Sequence, residues 1–146
     1  MSQAQENLAP KSDCIFCRIV AGQVPCYRFM EDDAVLAFLD VGPLSRGHAL
    51  IIPKAHYATM DALPDELAAR CGSVMPRLIR AIQSAVGATA SNVLQNNGPL
   101  AHQAVDHVHF HIIPKTSDTG LGIDWPAGTL DETEAKDLVD AIVKAM

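Results

Sequence analysis

No part of this chain reads as a membrane span or a secretory leader. Its apolar runs fall short of the ~20 residues that cross a bilayer, and residues 1–13 are polar, without the apolar centre of a signal peptide. Basic clusters are missing as well. With a formal net charge of −6, the chain lacks the Lys/Arg footprint that tracks nucleic acid phosphates, although a small nucleotide in a cleft stays compatible with that charge. Internal repeats are absent, and no second Cys-x-x-Cys accompanies Cys14-Ile15-Phe16-Cys17. Four cysteines are enough for two disulfides, but a leaderless chain is expected in a reducing compartment, where metal or redox roles rank ahead of cross-links. The expectation is a soluble, cytoplasmic protein that meets neither membrane nor nucleic acid polymer.

What is present is enough apolar material for one core. At 146 residues and 49% hydrophobic composition, the chain predicts a flexible terminus over 1–12 and a single domain over 13–146. Residues 27–30 and 35–39 flank the acidic turn Glu31-Asp32-Asp33 and predict a hairpin; 49–52 is a short apolar strand stopped by Pro53, and 92–95 and 105–113 add two more. From 64 to 86, Leu67, Cys71, Val74, Leu78, Ile82 and Val86 recur at helical spacing, with Pro64 in the first turn and Gly87 as stop. Pro76 should kink that helix or split it. Thr129 and Glu132 have capping-box spacing before a C-terminal helix carrying Ala135, Leu138, Ile142 and Val143. The sum is an α+β domain with a largely antiparallel sheet of about five strands.

The chemistry concentrates in Asp106-His107-Val108-His109-Phe110-His111-Ile112-Ile113-Pro114. Side chains at i, i+2 and i+4 of a strand share a face, so the three imidazoles should line up at intervals of roughly 6.5–7 Å while Val108, Phe110 and Ile112 enter the core. Strict alternation with large apolar residues argues against solvated histidines on an edge. Imidazole is a nucleophile, an acid-base group and, as the neutral ring, a metal ligand. Other motifs are ambiguous by themselves. Cys14-x-x-Cys17 fits half a zinc site, a redox pair or two buried thiols. Asp40 before Val41-Gly42-Pro43 fits an Asx turn, and Asn96-Asn97-Gly98 is a turn signal.

His107-x-His109-x-His111-x-x, with apolar x, resembles the motif of the histidine triad nucleotide hydrolases and transferases. The likeness extends through Cys14 to Cys17, Glu31-Asp32-Asp33, Phe38-Leu39-Asp40, Gly47-His48, Ile52-Pro53-Lys54-Ala55-His56 and Asn96. His111 in the third triad position makes the chain most similar to the small nucleoside-phosphoramidase branch. That resemblance implies cleavage at the α-phosphate of nucleoside phosphoramidates or related adenylylated compounds through a nucleotidyl intermediate on His109, with His107 and His111 completing the triad. It also implies a purine nucleotide substrate whose base and sugar are walled by Ile15, Phe16, Ile19, Phe38 and Val41. Asp40 would accept the ribose hydroxyls, while Asn96, His102 and Gln103 would lie at the phosphate. Zinc-bearing members suggest a structural zinc on Cys14, Cys17, His56 and His107, and the connection around Trp125 suggests a homodimer. Two other functions remain open, dinucleoside polyphosphate cleavage and a weakly active nucleotide-binding regulatory module.

One departure from the family pattern stands out. Where many members have Gly-Gln-Ser or Gly-Gln-Thr, this chain has His102-Gln103-Ala104. The leaving-group hydroxyl is missing at Ala104, and His102 is either a substitute donor or a solvated loop residue.

Overall fold

Asp32 shapes the first hairpin. Its Oδ1 accepts from the backbone N–H groups of Ala34 and Val35, both at 2.8 Å, and so closes the turn between β1 (Arg28–Glu31) and β2 (Val35–Leu39). Those bonds, with Arg70 alongside, hold the carboxyl below the usual carboxylate range. This computed structural model describes residues 11–146; the terminus expected to be flexible lies outside the described residues except for Lys11 and Ser12.

Next come β3 (Ala49–Pro53), β4 (Ala90–Gln95) and β5 (Phe110–Lys115), which complete an antiparallel sheet of order β1-β2-β3-β5-β4. All of β3, and β2 as far as Phe38, is buried, because each face of the sheet is covered by a helix. On one face Val35, Ala37, Ala49, Ile51, Phe110 and Ile112 pack under α2 (Asp65–Val86), which contributes Cys71, Val74, Leu78 and Ile82. On the other, Leu36, Phe38, Leu50 and Ile52 meet the short α1 (Ile15–Val20) through Phe16, Cys17 and Ile19. The sequence reading did not foresee α1, whose N-cap is Cys14, with its Sγ 3.4 Å from the Cys17 N–H. Six residues are too few to show helical periodicity.

Several expectations need correcting. The final strand begins at Phe110 and not at 105, because Val108 N–H bonds to the Tyr57 carbonyl at 2.7 Å, a loop partner outside the ladder. Of the two outcomes expected of Pro76, the structure excludes the split, since α2 runs unbroken from Asp65 to Val86. Pro76 is exposed, so the carbonyl freed at Gly72 faces water, while buried residues on both sides pin the helix. The cap of the last helix, α3 (Glu132–Ala145), is Asp131 and not Thr129, its Oδ1 accepting from Thr133 and Glu134 N–H at 3.0 and 3.1 Å. Its apolar residues Leu138, Ile142 and Val143 remain exposed. No described helix is long and apolar enough to cross a membrane.

Gly47 locks the start of β3 against the end of α2. Its φ is +90°, and a Cβ there would sit 2.8 Å from Val86 Cγ1 and 3.3 Å from Ile82 Cγ2. Gly47→Ala should therefore lose about 1–3 kcal/mol of stability from combined strain and overpacking. Urea unfolding measures it, and a loss under about 0.5 kcal/mol would contradict this packing.

Candidate active site

The bend ahead of β5 sends three alternating histidines to two different destinations. Val108, Phe110 and Ile112 enter the core beneath α2 as the alternation requires. Their histidine neighbours occupy the opposite face but are not evenly spaced along one strand: His109 and His111 have ring centroids 4.9 Å apart, whereas His107 turns toward His56, at 5.1 Å. The expected regular row fails because His107 and His109 precede the ladder.

Hydrogen bonds fix which nitrogen carries each proton. His109 Nδ1 lies 2.7 Å from the His107 carbonyl oxygen, which can only accept, so Nδ1 holds the hydrogen and Nε2 keeps a free lone pair. Leu44 N–H donates to His48 Nδ1 at 3.1 Å, so a neutral His48 carries its proton on Nε2 and donates it to His111 Nδ1 at 2.9 Å. His111 then presents Nε2–H. Burial, reinforced by His109 and His48, pushes His111 down to about 4, and burial lowers His48 against the opposing charge of Asp40; both rings are therefore neutral at pH 7. Asp40 Oδ2 lies 3.5 Å from His48 Nε2, while its Oδ1 accepts from Gly42 N–H at 2.8 Å in an Asx turn.

His109 and His111 open onto a cleft of about 540 Å³ that also contains Asp40, His48, Asn96, His102 and residues 121–124. Of the residues expected to bind substrate, Asp40, Asn96 and His102 meet there. Phe16 packs edge-on against His109, centroids 5.2 Å apart, and against Phe38 at 5.7 Å, with Ile19 buried in the same cluster. Ile15 faces an adjoining cleft with Asp106 and His56, and Ala104 lines both this cleft and that of the triad. Val41, expected to wall the base and sugar, is 84% exposed. Gln103 does not line the cleft of the triad: its Oε1 accepts from Gly98 N–H at 2.7 Å, and its Nε2 donates to the Ala58 and Val105 carbonyls at 2.6 and 3.0 Å. Its amide braces the 98–105 loop. The sequence reading missed His48 as the partner of His111, because only the β3–β5 register brings residues 63 positions apart together. It also missed residues 121–124, which carry no motif.

Behind the cleft, Cys14, Cys17, His56 and His107 are all buried, with one ligand atom from each lying within 4.8 Å of the others. The Cys14 Sγ–His107 Nδ1, Cys17 Sγ–His107 Nδ1 and Cys17 Sγ–His56 Nδ1 distances are 3.4, 3.7 and 3.3 Å. Ligand distances of ~2.0–2.3 Å around a tetrahedral ion give S–N edges of about 3.6 Å, so the cluster has the size of a zinc site. His107 has the tautomer a metal ligand needs: Nε2–H donates to the Pro53 carbonyl at 2.8 Å, leaving Nδ1 bare toward the thiols, and burial holds the ring neutral, down to about 4. Burial also raises the Cys17 thiol, an effect a divalent cation would reverse. Asp40, His48 and His111 form a second close group, but the bond from His48 Nε2–H to His111 Nδ1 already occupies the nitrogens that face each other.

Comparison with known proteins agrees with this geometry. Residues 21–118 match the model of the HIT domain. The chain is 50% identical over 130 residues to adenosine 5'-monophosphoramidase hnt1 of Schizosaccharomyces pombe, covering 88% of this chain and 95% of that protein. To adenylylsulfatase HINT3 of Arabidopsis thaliana it is 44% identical over 110 residues, covering 75% of this chain and 56% of that protein. Among solved structures, a HIT family protein from Bacillus anthracis superposes with a TM-score of 0.90 at 36% identity, covering 92% of this chain and 98% of that one. A zinc-bound histidine triad family protein from Mycobacterium smegmatis gives 0.69 at 30% identity, with the same coverage. The chain belongs to the HIT family, the histidine triad proteins.

Proposed function

We propose that the protein hydrolyses nucleoside phosphoramidates and related adenylylated compounds at the α-phosphate through a nucleotidyl intermediate on His109. The observation that carries this reading is the Nδ1–H bond of His109 to the His107 carbonyl, which leaves Nε2 as a pre-oriented nucleophile at the cleft. Nε2 attacks phosphorus, the leaving group departs with the bond's electron pair, and water then releases the nucleoside monophosphate. His111 Nε2–H would donate to a phosphoryl oxygen without carrying charge, a role its bond from His48 supports, and Asp40 would offer Oδ2 to the ribose hydroxyls while Oδ1 holds the turn. The phosphoramidase and adenylylsulfatase relatives support this choice of a purine nucleotide derivative as substrate.

The Cys14, Cys17, His56 and His107 cluster is read as a structural zinc site. All four positions of a tetrahedron would be protein ligands, leaving none for substrate, and bound zinc would supply cross-linking of α1 to the catalytic segment. Its free thiols suit a cytoplasmic protein. A homodimer is read from α3, whose Leu138, Val139, Ile142 and Val143 are 48–66% exposed, since a 14-residue helix is marginal in water by itself.

Two measurements follow. His109→Ala should lower kcat at least ~10³-fold on an adenylyl alkylamide while nucleotide binding survives, and acid-labile label should appear on the unmodified chain alone; equal turnover by both proteins would sink the assignment. Purification without chelators should yield one zinc per chain, and removing it should lower Tm by several degrees. Metal analysis near zero would refute the zinc reading.

A further inference from the structure

The reaction as drawn does not use the one strained residue of the cleft. His102 has φ +62° and is the only non-glycine with positive φ among the described residues. Such a conformation costs a residue bearing a Cβ on the order of 1 kcal/mol or more, and it persists only where the surroundings impose it. Here they do. Gln103 is held on both sides of its amide, its N–H bonds to the Gly98 carbonyl at 3.2 Å, and His102 N–H closes the preceding turn on Pro99 at 3.1 Å. Asn96 Nδ2 donates to the His102 carbonyl at 3.4 Å. A glycine would fill this position without strain, yet the chain places there an imidazole that is exposed, makes no side-chain hydrogen bond among the described residues and lines the cleft of His109 and His111. Two residues on, the same cleft wall carries Ala104, which has no hydroxyl to give.

We propose that His102 is the acid that protonates the leaving amine, an assignment that rests on the phosphoramidate reading above. His109 Nε2 forms its bond to phosphorus as the P–N bond breaks; the electron pair stays on the amine nitrogen and takes the proton of the His102 imidazolium. In the second half, water attacks phosphorus and gives a proton back to His102, while the P–N bond to His109 breaks with its pair returning to Nε2. His111 does not compete for this step, because its Nε2–H belongs to a neutral ring whose other nitrogen is occupied by His48. An imidazole can both give and take a proton, a role a hydroxyl fills only with help. The strained backbone at His102 thereby keeps the acid beside the scissile bond in place of the absent hydroxyl.

The test compares a poor and a good leaving group. His102→Asn keeps a residue that tolerates the left-handed region but has no transferable proton. It should lower kcat on an adenylyl alkylamide by ~10²-fold or more with KM little changed, and lower kcat on adenylyl sulfate less than about threefold, because sulfate leaves as an anion. His102→Gly removes the strain, and added imidazole should restore its amide turnover in proportion to concentration without affecting the sulfate. A parallel fall on both substrates, or no fall on the amide, overturns the assignment. A wild-type chain that cleaves neither compound overturns the proposed function itself.

Discussion

The ring of His107 is the junction on which the site depends. It is fully buried, its Nε2–H is tied to the end of β3 at Pro53, its Nδ1 faces the two thiols around α1, and its backbone carbonyl holds His109. Three separate pieces of chain therefore meet at one residue. A buried imidazole with both nitrogens engaged has a single acceptable orientation, and that orientation is passed on through the carbonyl to the ring of His109. Phe16 adds a second link: it lies between the two thiol positions of the sequence and packs edge-on against both His107 and His109. The Cys/His cluster and the cleft of His109 share walls as well as sequence.

On the cleft side, order comes from protons. The chain from Leu44 N–H through His48 to His111 runs in one direction because a backbone amide can only donate. Burial keeps these rings neutral, so the direction is not scrambled by protonation near pH 7. The result is a pair of complementary imidazoles on the same face, His109 offering a lone pair and His111 offering a hydrogen. A transferring phosphoryl group needs both, one at phosphorus and one at its oxygens.

The 98–105 loop shows how a rigid frame carries strain. Gln103, buried and bonded at both ends of its amide, costs the cleft a polar side chain but fixes the backbone on which His102 sits. This division of labour differs from the one the family likeness suggests, where both residues would address the phosphate.

Much was legible in the residues alone. The apolar runs of β2 and β3, the alternation of Val108, Phe110 and Ile112 with the histidines, the helical stripe ending at Gly87 and the acidic turn at Asp32 are local signals, read from spacing and turn chemistry, and each has its counterpart in the structure. The family motif likewise singled out His109 and pointed to Cys14, Cys17, His56 and His107, four distant residues that the fold brings together. What the sequence did not determine is everything set by contacts between distant segments: the strand start displaced to Phe110 by Tyr57, the helix at Phe16, the pairing of His48 with His111 and the inward role of Gln103. Alternation says which face a side chain takes, because strand geometry is local; it says nothing about which nitrogen of an imidazole bears the proton. That was decided by tertiary structure, where a carbonyl at His107 and an amide at Leu44 arrive from elsewhere in the chain and leave each ring one way to bond.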